Sequence, residues 1–500
     1  MIYFGDIHNH NAHGYGRGSI ERSIEIAREH LDFFAFTGHS SWHDLTDIEG
    51  GRHRHFIDGF KRLAETWPRV QERIANANSE GAFTAFLGFE WHSNRFGDQC
   101  VIFPRDFRPV MYTNHVEQLR GFCLGEGALM IPHHLAYPKG RRGVNWEVFD
   151  PACTPVVEIF SFHGLSEHDR GPHPMVRGSP GGRQTANTVR AALGSGMKFG
   201  FVASTDNHAG FPGAWGEGLM GVHAQALSRA AILEAVRERR TYALTGDRIR
   251  LDTSLNGFPM GADVPRGGEY EFHASIDALD EIDVAELIVD GEVFERFWPA
   301  RPVTGLDQPV LVRFEWGWGP WGELALDRVC DWTQRISVAG GELLRLDKCL
   351  GGGPFDEDRR HRIAMRDSQN VQIESYTSRR GAFHDVATHA VVLQLAGTAE
   401  TRIDVAVERP NQVKASASLG DLMRGSANFH TGPYGAESFQ LHRAVSASDH
   451  RMTCSARLRD RDIGSYAYLR VRQANGQLAW SSPFFISPDH PQRTERPHGA

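Results

Sequence analysis

Up to about residue 245, short apolar runs alternate with stretches of helical periodicity. The runs are three to seven residues long, rich in aromatic and β-branched residues, and bounded by glycine, proline or polar residues. Such runs predict buried strands. They cover residues 2–4, 33–36, 83–89, 128–131, 156–160 and 199–203.

Apolar residues at helical spacing lie between several of these runs. Ile20, Ile24, Ala27 and Leu31 mark a helix after the first run, and Ser19 is placed to cap it. Other predicted helices contain Phe56, Phe60, Leu63 and Trp67, then Val189, Ala192 and Leu193, and finally residues 228–240. This alternation predicts a largely parallel α/β sheet or barrel, and typical α/β barrels have roughly 250 residues.

After about residue 246 the pattern changes to short alternating segments separated by turns rich in glycine and aspartate. Examples are residues 270–276, 283–289, 310–314, 371–376 and 466–471. Alternation of this kind predicts a mainly β, sandwich-like domain. We therefore expect an α/β domain over residues 1–245, a β-rich domain over 246–488 and a tail over 489–500.

Composition narrows the classes of protein to consider. The chain has 500 residues, 40% hydrophobic and 23% charged, which favours a folded core over a mostly disordered chain. Its net charge of −8 indicates neither nucleic acid nor an anionic membrane as a partner. No apolar run reaches the roughly 20 residues of a membrane-spanning helix. Because neither a basic segment nor a long apolar stretch follows Met1, we expect no secretory leader. The six cysteines form no CxxC motif, so we expect reduced thiols in a cytoplasmic protein.

Histidine is the unusual component, because 17 of the 26 histidines precede residue 224. Imidazole is the commonest metal ligand and the usual acid or base near neutral pH. The six apolar runs lead into side chains that can bind metal ions. These are His8 and His10, His39, Glu90 and His92, His133 and His134, Glu158 and His163, and Asp206 and His208.

The carboxyl ends of parallel strands meet at one rim of an α/β fold, so six such strand ends predict one polar pocket. His8 and His10 are two residues apart, which places both imidazoles on one side of a strand, and Asp206 and His208 repeat the spacing. A lone HxH is weak evidence, but recurrence at six strand ends predicts a metal site. Mixed imidazole and carboxylate ligands suit Zn, Mn or Fe, and paired ions can activate water.

The remaining early histidines lie on predicted helices or loops, where a solvated side chain is the simpler interpretation. They are His30, His43, His53, His55, His115, His168, His173 and His223. His13 is intermediate, since it lies close to the HxH in a glycine-rich loop that also contains Arg17.

In order and spacing, these motifs resemble the signature of the polymerase and histidinol phosphatase (PHP) superfamily. They read His8-Asn9-His10, Thr37-Gly38-His39, Gly88-Phe89-Glu90, Pro132-His133-His134 and Asp206-Asn207-His208. The resemblance covers about residues 1–245. A narrower likeness, which includes the late Ala479-Trp480-Ser481-Ser482-Pro483, is to large two-domain PHP-like proteins of mostly unassigned function that carry a β-rich C-terminal domain.

The resemblance implies a distorted (β/α)7 barrel with two or three divalent metal ions at its C-terminal rim. By match of motif, one ion would be held by His8, His10, Glu90 and Asp206. Glu90 would bridge to a second ion together with His133, with His134 as the alternative. A third ion would be held by His39 and His208, with His13 as a further candidate.

Two positions depart from the superfamily pattern. Gly38 stands where a TDH motif has aspartate, which removes a carboxylate from beside His39. Gln99 stands where relatives usually have a histidine shortly after the Gly-x-Glu strand. The second ion is therefore weakly held, held differently by His92 or Glu158, or absent.

These observations lead to the hypothesis of a metal-dependent hydrolase that acts on a phosphoester through a metal-activated water. His39, His163 or His208 would protonate the leaving group if metal does not fully engage it. Arg17 would hold an anionic small-molecule substrate, although an exposed loop arginine is an equally good interpretation. Tyr137 and Lys139 are further candidates to line the pocket.

Two alternatives remain open at this point. The same metal site could hydrolyse an amide, an ester or a lactone, because activated water does not by itself select phosphorus over carbon. The protein could also be a non-catalytic binding protein in which metal ions stabilise a scaffold. The sequence leaves the substrate, the native metal and the oligomeric state open.

Overall fold

The computed structural model describes residues 1–175, 181–299, 305–319, 327–351, 359–378 and 388–487. The predicted tail at 489–500 lies outside the described residues. Within these ranges, no helix is both long enough and apolar enough to cross a membrane. All six cysteines are free thiols, as the sequence predicts.

The first part of the chain is a mixed α/β structure in which all six apolar runs form strands. Its strands are β1 (Ile2–Asp6), β2 (Phe33–Trp42), β3 (Thr84–His92), β4 (Gln99–Ile102), β5 (Leu129–Pro132), β6 (Val156–Ser161), β7 (Gly164–Leu165), β8 (Gly200–Ala203), β9 (Leu219–His223) and β10 (Thr241–Leu244). Its α-helices are α1 (Ile20–His30), α2 (His53–Ala77), α3 (Val116–Glu126), α4 (Val189–Gly194) and α5 (Arg229–Arg237).

Local sequence accounts for these elements. The Ser19 side chain caps α1 by accepting a hydrogen bond from the Arg22 backbone amide at 3.1 Å. The helix turns Ile20 and Ala27 toward the core. Every residue of β3 is buried, as expected of a strand covered on both faces.

The strand pairing departs from a regular parallel alternation. β1, β2 and β3 pair in parallel, but β4 runs antiparallel between β3 and β5, and β9 runs antiparallel between β1 and β10. β6 and β8 pair in parallel within a separate three-stranded sheet. The prediction of a largely parallel sheet therefore holds for only part of the structure, and α3, β4, β9 and β10 were not predicted.

The second part of the chain is rich in β-structure, as predicted. Its strands are β11 (Arg250–Leu255), β12 (Phe258–Pro259), β13 (Asp263–Pro265), β14 (Glu269–Asp277), β15 (Ile282–Val289), β16 (Glu292–Phe297), β17 (Val310–Trp318), β18 (Val329–Cys349), β19 (Arg362–Met365), β20 (Asn370–Ser378), β21 (His389–Arg409), β22 (Val413–Ser418), β23 (Ala427–His430), β24 (Ser438–Leu441), β25 (Arg451–Arg459), β26 (Tyr466–Gln473), β27 (Leu478–Ser481) and β28 (Phe484–Ser487). Two short helices, α6 (Leu419–Leu422) and α7 (Ala447–His450), interrupt them.

Twelve of these strands form two further sheets, whereas β13, β15, β16, β26, β27 and β28 join the sheet that contains β1. A four-stranded sheet has the order β12-β11-β14-β25. An eight-stranded sheet has the order β19-β20-β18-β21-β17-β24-β23, with β22 paired to β21. The antiparallel pair β18 and β21, each 21 residues long, forms its centre.

The last strands of the chain return to the first part of the molecule. β27 pairs antiparallel with β10, so that Ala243 lies opposite Trp480. Ser482 accepts a hydrogen bond from the Phe201 backbone amide at 2.8 Å, next to the strand end that leads to Asp206. The late Ala-Trp-Ser-Ser segment thus supports the strands that carry the polar pocket.

Candidate metal centre

The segments that follow β1 and β8 are held together by backbone hydrogen bonds. The Asp206 amide donates to the His8 carbonyl at 2.7 Å. The buried Asp6 carboxylate accepts from the amides of His8 and Thr205 at 3.1 Å each, from the Thr205 hydroxyl at 2.6 Å and from the Gly213 amide at 2.9 Å. Burial nevertheless raises the pKa of Asp6 to about 6. Asp6 therefore fixes the backbone of both motif segments.

Glu90 forms the first centre of the cluster. It lies beside His39 in the register of β2 and β3 and is buried. Five imidazoles have a nitrogen within 4.0 Å of its carboxylate oxygens. They are His133 at 2.8 Å, His92 at 3.2 Å, His10 and His39 at 3.4 Å each, and His8 at 3.9 Å.

Asp206 forms the second centre and is also buried. Five imidazoles approach its carboxylate as well. They are His10 at 2.9 Å, His163 at 3.2 Å, His8 at 3.3 Å, His134 at 3.5 Å and His208 at 3.6 Å. His8 and His10 belong to both sets, and their Nε2 atoms are 3.1 Å apart. One continuous cluster of eight histidines and two carboxylates results.

The pKa values of the two carboxyls favour their ionised form. Burial opposes charge on Glu90 and Asp206, but the surrounding imidazoles outweigh it and hold the pKa of both carboxyls well below the usual range. Burial lowers the pKa of His39, and it lowers that of His208 to about 3. The pKa values of His8 and His133, by contrast, lie well above the ordinary value, because neighbouring acidic groups outweigh the effect of burial. Ionised carboxylates therefore face both neutral and protonated imidazoles, and the protonated ones would release their protons on binding a metal ion.

The donor set fits divalent cations. Among the described residues, Glu90 and Asp206 contact imidazoles and no lysine or arginine. A buried negative charge is costly unless a positive charge compensates it. Several groups of three or four side chains in the cluster, such as His8-His10-Asp206 and His39-Glu90-His92, have ligand atoms within 4.8 Å of one another.

The register of β4 shows which residue takes the place of the usual histidine near Glu90. Gln99 lies opposite Trp91, whereas Cys100 lies opposite Glu90. Because paired residues project to the same face of a sheet, Cys100 shares the face of the cluster. Its Sγ atom is 3.8 Å from Nδ1 of His133. The residue that β4 directs toward the cluster is therefore a cysteine.

His92, one of the two alternatives for the missing histidine, lies in the cluster beside Glu90. Its Nδ1 atom also faces Oδ2 of Asp98 at 3.1 Å. Arg142 donates from Nε to the same oxygen at 2.6 Å, and its Nη2 atom is 3.3 Å from His92 Nδ1. Glu158, the other alternative, accepts from Nδ1 of His8 at 2.9 Å and thus supports His8 from behind.

The glycine-rich loop after β1 covers His39. The Tyr15 ring stacks on His39 with 3.4 Å between ring centres, and a side chain at Gly14 would lie only 2.8 Å from Nδ1 of His39. The departure at Gly38 has a packing reason. A Cβ atom there would lie 2.5 Å from the Phe36 ring and 2.8 Å from Leu63, so the fold leaves no space for an aspartate.

His163 lies between Asp206 and Tyr137. The Tyr137 hydroxyl is 2.8 Å from His163 Nδ1, and Tyr137 is fully buried. If the hydroxyl donates, the imidazole proton is placed on Nε2, which faces Asp206. Lys139 lies further out, where its ammonium pairs with Glu147 at 2.7 Å.

The structure brings together all eight side chains predicted as metal ligands. The catalytic candidates His39 and His163 belong to the same cluster. Arg17 has an exposed side chain, and its backbone amide donates to the His208 carbonyl at 2.8 Å. His13 hydrogen-bonds to Thr66 at 2.8 Å.

Sequence reasoning missed Cys100, Asp98, Arg142 and Tyr15. Asp98 and Cys100 follow Glu90 closely in the sequence, so their proximity to the site could have been predicted. No local sequence pattern predicts that Arg142 lies there. The prediction of a solvated His30 was wrong, since this residue is 6% exposed.

Three of the eight non-glycine residues with a positive φ in the described part of the chain lie at the cluster. His134, Arg142 and Asp206 have φ angles of 54°, 69° and 53°, in the left-handed region that side chains with a Cβ atom disfavour. Such conformations persist only where the surrounding structure enforces them, and they often mark functional sites. These backbone conformations orient His134 and Asp206, which belong to the cluster, and Arg142, which lies beside it.

No protein-family model matches the chain. A Chlamydia trachomatis serovar D protein described as uncharacterized is 26% identical over 294 residues, which are 53% of this chain and 42% of that protein. An uncharacterized Chlamydia muridarum protein is 24% identical over 335 residues, which are 60% of this chain and 49% of that protein. The chain thus spans less than half the length of these relatives.

One solved structure is similar over most of the chain. It is a two-domain protein from Bacteroides vulgatus, described as containing a predicted PHP-like metal-dependent phosphoesterase. The similarity covers 84% of this chain and 95% of that one, at 12% identity and a TM-score of 0.34. At that TM-score the similarity carries no conclusion about fold or activity.

Proposed function

We propose that the protein is a metal-dependent hydrolase of the PHP type whose substrates are phosphoesters. The observation that carries this proposal is the pair of buried carboxylates, Glu90 and Asp206, each surrounded by five imidazoles. Mixed nitrogen and oxygen ligands of this kind hold two or three Zn, Mn or Fe ions. When bound, such ions lower the pKa of water and stabilise negative charge on a phosphoryl oxygen.

The distances support a particular division of ligands. His8, His10, Glu90 and Asp206 would hold one ion. Glu90 would bridge to a second ion with His133, joined by His92 or Cys100 in place of the usual histidine. His39 and His208, whose Nε2 atoms are 3.1 Å apart, would hold a third ion. A thiolate from Cys100 would favour Zn or Fe over Mn.

Arg142 supports the choice of a phosphoester over a neutral substrate. Its Nη2 atom lies 3.3 Å from Nδ1 of His92. The Asp98 carboxylate outweighs the effect of burial and raises the pKa of Arg142 further above its ordinary value. A planar guanidinium that stays charged is suited to hold a phosphate group. We therefore assign the anion-binding role to Arg142 instead of the exposed Arg17.

His163 is the best placed proton donor. His39 is fully buried between the rings of His10 and Tyr15, whereas His163 is 7% exposed at the edge of the cluster. Its position between Tyr137 and Asp206 would keep a proton on Nε2. In the reaction, the oxygen of water would add to phosphorus and release a proton, and the bond from phosphorus to the leaving oxygen would break. The leaving oxygen would take up a proton from His163 in its doubly protonated form, whose other N–H would donate to the Tyr137 oxygen, and the proton released by water would restore that form.

The same proposal extends to the fold. β1, β2, β3, β5, β6, β8 and β10 would be the seven strands of a distorted (β/α)7 barrel within residues 1–245, interrupted by the antiparallel β4 and β9. Residues 246–488 would form the β-rich domain, which lends β26, β27 and β28 to the first part. We also propose that the protein is cytoplasmic.

Metal analysis followed by a substrate panel tests this function. Purified protein loaded with Mn, Zn or Fe would be assayed with p-nitrophenyl phosphate, bis(p-nitrophenyl) phosphate and p-nitrophenyl acetate. We expect at least two bound ions per chain and turnover of a phosphate ester that disappears with a chelator. Turnover of the carboxyl ester alone would favour ester, amide or lactone hydrolysis, and bound metal with no turnover would favour a binding protein.

A further inference from the structure

The loop from Asp206 to Glu217 is closed by a hydrogen bond between two buried side chains. Nδ2 of Asn207 donates to Oε2 of Glu217 at 2.6 Å, and each of the two residues is 2% exposed. Oδ1 of Asn207 accepts from the backbone amides of Ala209 at 2.7 Å and Phe211 at 3.1 Å. Both polar atoms of the Asn207 side chain are thus engaged within the loop. We call the pair of Asn207 and Glu217 the loop clasp.

Asn207 lies between two predicted metal ligands, Asp206 and His208, and shares a peptide group with the first. The N–H of that peptide group donates to the Thr205 hydroxyl at 3.2 Å, and its carbonyl accepts from Nδ1 of His208 at 2.8 Å. A proton on Nδ1 leaves the lone pair of Nε2 for a metal ion. The orientation of this one peptide group therefore decides which nitrogen His208 offers to metal.

The backbone at Asp206 needs outside support to keep this orientation. Its φ of 53° lies in the left-handed region, which residues with a Cβ atom adopt only where the surrounding structure enforces it. On one side, the Asp206 amide donates to the His8 carbonyl at 2.7 Å, and the Asn207 carbonyl accepts from the His10 amide at 2.9 Å. On the other side, the loop clasp holds the Asn207 side chain.

A close approach of the chain brings Glu217 back to Asn207. Gly218 has a φ of 128°, and a Cβ atom there would lie 2.3 Å from the carbonyl oxygen of Ser204, just after β8. Only glycine allows that approach. The end of the loop therefore lies against its beginning, and the carboxylate of Glu217 reaches Asn207.

The middle of the loop is anchored in the β-rich part of the chain. Phe211 and Ala214 are buried in the hydrophobic core of the eight-stranded sheet. The Trp215 amide donates to the Leu350 carbonyl at 2.8 Å. With its middle fixed by the β-rich part and its ends joined by the loop clasp, the loop presents its two metal ligands in one orientation.

We propose that Asn207 and Glu217 are positioning residues that hold Asp206 and His208 in the orientation in which both bind metal. Neither side chain of the loop clasp is a ligand, and the pair acts through the peptide group between Asp206 and Asn207. The proposal rests on the metal centre of the proposed function and is independent of the reaction with phosphoesters.

Cobalt binding by the full chain tests the proposal, because Co²⁺ accepts imidazole and carboxylate ligands and its visible absorption reports their geometry. Metal-free protein would be titrated with Co²⁺ at pH 8, and its unfolding by urea would be measured without metal. Glu217→Met removes the acceptor at similar size, whereas Glu217→Gln keeps an acceptor oxygen. Asn207→Asp places two carboxylates side by side. The double variant, Asn207→Asp with Glu217→Gln, restores one N–H donor and one carboxylate with their positions exchanged.

The matched control is Glu437→Met in the β-rich part. Glu437 is 3% exposed and pairs with Arg328 at 2.8 Å, so its replacement also removes a buried carboxylate. We expect this variant to unfold at lower urea concentration and to bind cobalt as the parent does. It separates a loss of stability from a loss of ligand orientation.

We expect Glu217→Met and Asn207→Asp to raise the Kd for cobalt about tenfold or more and to change the absorption spectrum. Glu217→Gln and the double variant should bind cobalt as the parent does and show its spectrum. Recovery in the double variant identifies the hydrogen bond itself, since Asn207→Asp is present in both proteins. Circular dichroism verifies that each variant is folded, and the two single variants of Glu217 carry the test if Asn207→Asp does not fold.

Three results would overturn the proposal while leaving the metal centre in place. They are unchanged cobalt binding in either Glu217→Met or Asn207→Asp, a double variant that binds as weakly as Asn207→Asp, and an equal loss of affinity in Glu437→Met. A parent chain that binds no cobalt would overturn the metal centre together with this proposal.

Discussion

Two buried aspartates show how partners decide what a carboxylate does. Asp206 is surrounded by imidazoles, which release a proton or bind a metal ion as conditions require. Asp247 is fully buried where the two parts of the chain meet, and it accepts from Arg313 at 2.7 Å, Gln473 at 2.8 Å and Asn475 at 2.7 Å. The Trp215 indole donates to its other oxygen at 2.8 Å.

The two sites differ in whether the groups around the aspartate can bind a metal ion. Guanidinium, amide and indole N–H groups donate hydrogen bonds but do not coordinate metal ions, so the site of Asp247 is closed and already neutralised by Arg313. The imidazoles around Asp206 leave its charge without a permanent cation. We infer that Asp247 stabilises the junction between the parts, whereas Asp206 holds a metal ion.

Asp206→Asn should have the largest effect, and the effect should be on metal binding and turnover. We expect metal content to fall and phosphoesterase turnover to drop about 1,000-fold or more, equivalent to about 4 kcal/mol of transition-state stabilisation. Metal analysis and kcat/KM measure both effects. The matched control is Asp252→Asn, at an exposed position of β11. Unchanged metal content and turnover in Asp206→Asn would refute the assignment.

Asp247→Asn should lower stability and leave metal content unchanged. Removing one partner of a buried ion pair costs about 3–5 kcal/mol, because the other charge is left uncompensated. Urea unfolding should reveal that loss, with metal content per folded chain unchanged and Asp252→Asn again as the control. Loss of metal without loss of stability would contradict the distinction between the two sites.

The site of Asp206 could be predicted from the sequence, whereas the site of Asp247 could not. The strand ends carrying His8, Glu90 and Asp206 were predictable because their apolar runs and motif spacing are local features of the sequence. The partners of Asp247 were not, since Trp215 and Asn475 are 260 residues apart and only the folded chain brings them together.

Strand register and distant packing explain the other omissions. The choice between Gln99 and Cys100 depends on how β4 pairs with β3, which no residue pattern specifies. The return of β27 to β10 is likewise a contact between distant segments. His30 was predicted to be solvated because it lies on a predicted helix. It is buried against the segment after Asp206, where its Nε2 atom faces the Gly213 carbonyl and its ring lies beside Phe211.

Both regions contain a guanidinium: Arg142 lies beside His92 in the metal cluster, and Arg313 pairs with Asp247. A variant of Arg142 tests whether the two guanidiniums have different roles. We expect Arg142→Gln to raise the KM for a phosphate ester about tenfold, or about 1.4 kcal/mol, with a smaller effect on kcat. The neighbouring Arg141→Gln, at an exposed position, is the control. Arg313→Gln should lower stability and leave KM unchanged. An unchanged KM in Arg142→Gln would exclude Arg142 from substrate binding.

A final effect, spread over several pH units, concerns an imidazole outside the metal centre. Burial lowers the pKa of His389 to about 4 from an ordinary value of 6.5, and its Nδ1 atom accepts from the Gly351 amide at 3.0 Å. Between those pH values the unfolded chain binds a proton that the folded chain does not. Stability should therefore fall as pH falls from 6.5 to about 4, by about 1.4 kcal/mol per pH unit.

His389→Gln should remove that part of the slope, both in metal-loaded protein and in protein treated with a chelator. The imidazoles around Asp206 should behave differently, because bound metal competes with protons for them and their contribution depends on metal. Unfolding free energies measured from pH 7 to 4 test this, with the exposed His430→Gln as the control. If the slope removed by His389→Gln disappears in chelated protein, His389 is linked to the metal centre and the two regions are not independent.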